Sequence, residues 1–123
     1  MTRKYKAVIV DDEKLARDRL SKLLIPYTHK IDIIGEATDG EEALVLVESL
    51  RPDLLFLDIQ MPVMNGFEML EKVSYQPRII FTTAFDQYAI KAFEENSLDY
   101  LLKPIEEQRL RRTILKLETL EVE

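Results

Sequence analysis

The stretch Asp53-Leu54-Leu55-Phe56-Leu57-Asp58 decides the fold. Four large apolar residues in a row, closed by an acid, do not alternate. Both faces of such a segment are buried, as in a strand inside a parallel sheet. Three more runs read the same way: Ala7-Val8-Ile9-Val10, Ile79-Ile80-Phe81 and Leu98-Asp99-Tyr100-Leu101-Leu102. Ile31-Asp32-Ile33-Ile34 is half alternating, which suits an edge strand.

Between the runs, apolar residues repeat at helical spacing. Ala16, Leu20, Leu23 and Leu24 predict a first helix, ended by Pro26. Ala43, Val47 and Leu50 predict a second, with Asp39 as N-cap and Arg51-Pro52-Asp53 closing it. Phe67, Leu70 and Val73 mark a third after Asn65-Gly66, and Ala89, Ala92 and Phe93 a fourth after Asp86. Leu110, Ile114 and Leu117 mark a fifth after Pro104. Strands alternating with helices predict one α/β domain with a parallel sheet and right-handed crossovers. Glu118–Glu123 reads as the start of a linker.

Composition excludes several classes of function. The chain has 123 residues, the size of one domain, and 46% hydrophobic with 33% charged residues is globular composition. A net charge of -6 disfavours nucleic-acid binding by this domain itself. The absence of cysteine excludes disulfides, thiol catalysis and cysteine-zinc sites, and the single His29 excludes a multi-histidine metal site. His29, in a loop after Pro26-Tyr27, reads as a surface residue. No apolar run approaches the roughly 18 residues of a membrane span. The N-terminal residues do not resemble a secretory leader, so a cytoplasmic location is expected.

Open α/β sheets place their sites beyond the carboxyl ends of the strands. Those positions hold Asp11-Asp12 with Glu13, Asp58, Thr82-Thr83 and Lys103-Pro104. Clustered acids raise one another's pKa values unless a cation neutralises them. An all-oxygen set suits Mg²⁺. A carboxylate can also attack phosphorus to give an aspartyl phosphate, whose oxygens then need a metal, an ammonium and a hydroxyl around them. Each residue alone has an ordinary structural explanation: a helix cap, a turn, a loop, a strand threonine. Their joint placement at four strand ends does not.

These residues resemble the response-regulator receiver domain of two-component systems. The resemblance rests on Val8-Ile9-Val10-Asp11-Asp12-Glu13, on Asp53 to Asp58 followed by Ile59-Gln60-Met61-Pro62-Val63-Met64-Asn65-Gly66, on Thr83-Ala84, and on Asp99-Tyr100-Leu101-Leu102-Lys103-Pro104. It covers the chain from about Tyr5 to Leu120. Thr83-Ala84-Phe85-Asp86 with Tyr88-Ala89 and Ala92-Phe93 further resembles LytTR-type (LytR/AlgR) transcriptional regulators.

The resemblance implies a doubly wound, flavodoxin-like (βα)5 domain with strand order 2-1-3-4-5. It implies that Asp58 accepts a phosphoryl group from a histidine kinase. Mg²⁺ would be held by Asp12 directly, by Asp11 mostly through water, by Asp58 and by the backbone carbonyl of Gln60. Lys103 would pair with the phosphoryl oxygens and Thr83 would hydrogen-bond them. Tyr100 would turn inward as Thr83 moves. Pro104 would follow a cis peptide bond, and Gly66 would allow the turn into the third helix. Gln60 and Phe85, two residues beyond Asp58 and Thr83, would influence hydrolysis of the acyl phosphate, Phe85 by restricting water.

Output is expected through the fourth helix, fifth strand and fifth helix, by a shift in a two-state equilibrium. Tyr88, Ala89, Lys91 and Ala92 are the candidate surface, with homodimerisation expected there. Leu110, Ile114 and Leu117 read as core, and Arg109, Arg111, Arg112 and Lys116 as a solvated face able to pair with a second subunit. DNA would be reached only through a C-terminal domain outside this chain.

Three other functions compete. A phosphohydrolase of the haloacid dehalogenase type needs an acid two residues after the nucleophile, where Gln60 stands. Self-phosphorylation and slow self-dephosphorylation are therefore the only turnover expected. A flavin carrier needs a Gly/Ser/Thr phosphate loop where Asp11-Asp12-Glu13 stands. A silent interaction module would have lost one of Asp11, Asp12, Asp58 or Lys103, and all are present.

Overall fold

The computed structural model describes residues 4–120. The elements are β1 (Tyr5–Val10), α1 (Lys14–Leu23), β2 (Ile31–Ala37), α2 (Gly40–Leu50), β3 (Leu54–Asp58), α3 (Gly66–Lys72), β4 (Arg78–Thr83), α4 (Ala89–Glu94), β5 (Asp99–Leu102) and α5 (Glu107–Leu120). The strands form one sheet in the expected order β2-β1-β3-β4-β5, every pair parallel. β2 is an edge strand, and its register against β1 slips by one residue between Ala7 and Val8.

The unbroken apolar runs have a plain cause. Successive residues of a strand point to opposite faces. Ala7, Ile9, Leu54, Phe56, Ile80 and Leu101 pack on one face with Leu20 of α1 and with Leu110, Ile114 and Leu117 of α5. Val8, Val10, Leu55, Leu57, Ile79 and Phe81 pack on the other with Ala43 and Val47 of α2, Phe67 and Met69 of α3 and Ala92 of α4. Each such side chain, fully buried, contributes roughly 1.5–3 kcal/mol for the larger types.

Helix ends follow local chemistry. The Asp39 side chain accepts from the Glu42 backbone N–H, as expected of an N-cap. Arg51 closes α2 in the left-handed conformation, φ 46°. Asn65 opens α3 with a capping box: its side chain accepts from the Glu68 N–H while Glu68 accepts from the Asn65 N–H. α1 stops at Leu23, and Pro26 lies inside a following 3₁₀ turn (Ile25–Tyr27) rather than at the helix end itself. Its fixed φ suits the first turn of that element. α5 continues through Leu120, so Glu118, Thr119 and Leu120 of the expected linker belong to this helix. The rest of the expected linker lies outside the described residues.

Two surface expectations change. Ala92 is buried on the sheet and presents nothing to a partner, whereas its neighbour Phe93 is 82% exposed. Arg109 and Lys116 are not a free basic stripe. Both pair within the chain with Asp99, at 2.6 Å and 3.2 Å. Arg111 and Arg112 are exposed, as is His29, and Leu110, Ile114 and Leu117 are core as expected. Among the described residues no helix is long and apolar enough to cross a membrane.

Gly66 stands at the turn into α3, and what that turn uses is the absence of a side chain. No described glycine has positive φ; in this loop Val63 does, at φ 70°. A Cβ on Gly66 would lie 2.6 Å from the Asp58 carbonyl oxygen. Gly66→Ala therefore forces α3 away from the end of β3. The expected cost is about 1–3 kcal/mol, read by thermal or urea unfolding. A wild-type midpoint would contradict this packing.

Candidate functional site

The order β2-β1-β3 reverses the winding between β1 and β3, and the crevice beyond their carboxyl ends is where such sheets bind ligands. Asp11 directly follows β1, Asp58 ends β3, Thr83 ends β4 and Lys103 directly follows β5. The backbone pins these ends together. Ile59 N–H donates to the Thr82 carbonyl at 3.1 Å, Lys103 N–H to the Thr83 carbonyl at 2.7 Å, and Gly66 N–H to the Ile59 carbonyl at 2.9 Å. The Lys103-Pro104 bond is cis, as expected.

The Lys103 ammonium holds the acids together. It lies 2.7 Å from Asp11 Oδ2, 3.5 Å from Asp58 Oδ2 and 3.7 Å from Glu13 Oε1. Asp11 and Asp58 are buried, while Asp12 and Glu13 are exposed. Burial raises the Asp58 carboxyl, Lys103 opposes it, the charges of Asp11 and Asp12 add to the rise, and the result is a pKa of about 7. The Gln60 backbone amide donates to the same carboxylate. Burial would lower the Lys103 pKa, but its hydrogen bond to Asp11 and the charge of Asp58 outweigh it and hold the ammonium above its ordinary value. One cation thus faces more negative charge than it neutralises.

Asp11, Asp12 and Glu13 bring carboxylate oxygens within 4.8 Å of one another. Asp58 adjoins them through the shared Lys103 ammonium. Hard oxygens in excess of the available positive charge fit a small divalent cation. Glu13, read with Asp11-Asp12 at the end of the first strand, stands in this acidic group, although the metal set implied by the resemblance did not include it.

The residues around the crevice link it to α4 and β5. Thr83 is fully buried and its Oγ1 accepts from the Phe85 N–H at 3.2 Å. The Tyr100 side chain is half-buried, and its hydroxyl donates to the Phe85 carbonyl. The Phe85 side chain is itself 43% exposed. The Gln60 side-chain amide donates to the Tyr88 hydroxyl at 2.6 Å, which ties the segment after β3 to the start of α4. Tyr88 also packs on Phe67, with ring centroids 6.2 Å apart.

Sequence reasoning placed the strand-end residues but passed over Arg17 and Arg19. Arg17 Nη1 donates to the Asp11 carbonyl at 2.8 Å, and Arg19 Nη2 donates to the Ile105 carbonyl at 2.6 Å, just past the cis bond. Both donate to backbone oxygens, which carry no residue type in the sequence, and the acid that Arg17 also meets, Glu36, stands 19 positions away on β2. The signal was the spacing alone: six residues after Asp11 puts Arg17 one helical turn into α1.

Residues 7–115 match the family described as the response regulator receiver domain. The chain belongs to that family. The receiver is 54% identical over 114 residues to the transcriptional regulatory protein BtsR of Salmonella typhimurium, covering 91% of this chain and 47% of that protein. It is 50% identical over 114 residues to the sensory transduction protein LytT of Bacillus cereus, covering 90% of this chain and 46% of that one. These relatives agree with the LytTR-type resemblance, and the chain spans about half of their length. Among solved structures, the REC domain of AraT, a response regulator from Geobacillus stearothermophilus, is 36% identical with a TM-score of 0.83, covering 95% of each chain.

Proposed function

We propose that this receiver is a phosphoacceptor in which Asp58 takes a phosphoryl group from a histidine kinase. The observation that carries this is the Lys103 ammonium shared by Asp11 and Asp58 at a switch point, with Asp58 held near a pKa of about 7 by burial and neighbouring charge. The group that belongs in the acidic crevice is Mg²⁺, held by Asp11, Asp12, Asp58 and the Gln60 carbonyl. When bound, it supplies charge neutralisation for the acids and for the incoming phosphoryl oxygens.

Asp58 attacks phosphorus through a carboxylate oxygen, forming a P–O bond. The P–N bond of the phosphohistidine breaks, and its electron pair leaves with the imidazole. Lys103 pairs with a phosphoryl oxygen in place of part of its contact with Asp58. Thr83 hydrogen-bonds another, exchanging its contact with the Phe85 N–H. That exchange loosens the segment after β4, which the Tyr100 hydroxyl also holds through the Phe85 carbonyl. Tyr100 is then free to turn inward and shift the equilibrium of the α4-β5-α5 face.

That face carries Ile90 and Phe93, 78% and 82% exposed, beside Leu102. A second copy of the receiver is the proposed partner there. Light scattering should show a dimer with a phosphoryl mimic bound, and a monomer in both states would contradict it. The effect on transcription runs through a DNA-binding region of the whole regulator, in the cytoplasm.

Incubation with acetyl phosphate and Mg²⁺, followed by intact-protein mass measurement, tests the chemistry. The expected result is one phosphoryl adduct that chelator and Asp58→Asn both remove. A folded wild-type chain that gains no mass from several phosphodonors would overturn the proposal.

A further inference from the structure

We infer that Arg17 is a positioning residue for the divalent-cation site. This rests on the Mg²⁺ site proposed above. The Arg17 side chain is 13% exposed and grips two elements at once. Nη1 donates to the Asp11 backbone carbonyl at 2.8 Å, and Nε pairs with Glu36 Oε1 of β2 at 3.2 Å.

The grip completes the immobilisation of Asp11. Its N–H donates to the Ala37 carbonyl at 3.1 Å. Its Oδ1 accepts from the Glu13 N–H at 2.9 Å, and its Oδ2 pairs with Lys103 at 2.7 Å. The carbonyl is the remaining polar group of Asp11, and it belongs to the peptide that joins Asp11 to Asp12. Holding that peptide plane restrains the backbone from which the Asp12 side chain leaves. Asp12 is exposed, and among the described residues its carboxylate has no hydrogen-bond or ion-pair partner. That carboxylate therefore depends on the Asp11-Asp12 peptide for its aim. Arg17 is suited to this because its rigid planar fork holds two acceptors in fixed directions, which the rotatable ammonium of a lysine does not. Groups that orient metal ligands in this way commonly matter about 10–100-fold in metal affinity.

The sign of the effect separates positioning from charge. Arg17 is a cation beside a cation site, so through space alone it weakens Mg²⁺ binding. Removing it should then tighten binding. Positioning predicts the reverse.

Calorimetric titration with MgCl₂ of the wild-type chain, Arg17→Gln and Arg17→Lys decides between these, with thermal unfolding of each metal-free protein alongside. We expect Mg²⁺ affinity to fall about tenfold or more in both variants, the charge-conserving lysine included. Tighter binding in Arg17→Gln with wild-type binding in Arg17→Lys would reduce Arg17 to a charge and overturn the inference. Wild-type Mg²⁺ affinity in both variants with a lowered unfolding temperature would also overturn it, leaving Arg17 a strut between α1 and β2. Should Arg17→Gln not fold, Arg17→Lys still separates the two explanations, because charge alone predicts no change there. Failure of the wild-type chain to bind Mg²⁺ would instead remove the proposed metal site and the inference with it.

Discussion

Lys103→Ala is expected to cut the rate of phosphoryl uptake from acetyl phosphate by at least about a hundredfold at saturating Mg²⁺. Lys103 is the one ammonium among the described residues within 4 Å of both Asp11 and Asp58. Charge developing on the transferred group has no other lysine beside it to meet it. Removing a single preorganised donor of this kind costs on the order of 10²–10³ in rate. The same substitution should tighten Mg²⁺ binding, because Lys103 competes with the ion for the acids. It also leaves Asp58 without the charge that opposes its burial, so its pKa should rise above about 7. Uptake rates measured by intact mass, set against Mg²⁺ affinity, check the pair of effects. Unchanged uptake would make Lys103 a structural counter-ion only.

Asp99→Ala should lower stability by about 3 kcal/mol near neutral pH, or roughly 10 °C in unfolding temperature. Asp99 opens β5 and is 6% exposed. Arg109 grips it through two nitrogens at 2.8 Å and 2.6 Å, Lys116 approaches to 3.2 Å, and the Tyr100 N–H and Thr113 hydroxyl donate to it. Its loss leaves the fully buried Thr113 hydroxyl with only its long contacts to Arg109, at 3.3 Å. Arg109 and Lys116 are partly in water, which keeps the cost at the lower end of that for a broken buried pair.

Burial raises the Asp99 carboxyl, but the Arg109, Thr113 and Tyr100 hydrogen bonds outweigh it and hold it well below the usual carboxylate range. A depressed folded pKa means stabilisation that is complete above the unfolded value, near 4, and is lost as pH falls through the folded value. The gap between wild type and Asp99→Ala should thus be constant from about pH 6 to 8 and narrow below about pH 4. Urea unfolding across that range checks it. A gap that widens in acid would contradict the ion-pair explanation.

The contrast between Asp58 and Asp99 shows what a sequence carries. Asp58 was legible because it stands at a strand end, and strand ends in this topology converge. Asp99 opens its strand at the opposite end, and its cations stand 10 and 17 positions later on α5. Local pattern read those cations as a solvated stripe, since nothing in the spacing aims α5 at β5. The strands were legible because burial on both faces removes the alternation and leaves unbroken runs. α3 was legible from the spacing of Phe67 and Leu70 after Asn65-Gly66, and the structure adds the capping box of Asn65 and Glu68. α4 was not phased correctly. Six residues with Ala89, Ala92 and Phe93 define no single apolar stripe, and the sheet took the small Ala92 while leaving the larger Phe93 outside. Gly66 was singled out for the turn into the third helix, and what it supplies there is the close approach to the Asp58 carbonyl oxygen. Such an approach is tertiary and has no local signature.

The central claim is that Asp58 itself carries the phosphoryl group. Borohydride reduction of the phosphorylated chain converts an aspartyl phosphate to homoserine, which peptide mass spectrometry then locates. Homoserine at position 58 and nowhere else is the expected outcome. Homoserine at 11 or 12 instead, or 5-hydroxynorvaline at Glu13, would contradict the claim, as would a phosphoryl adduct that resists reduction.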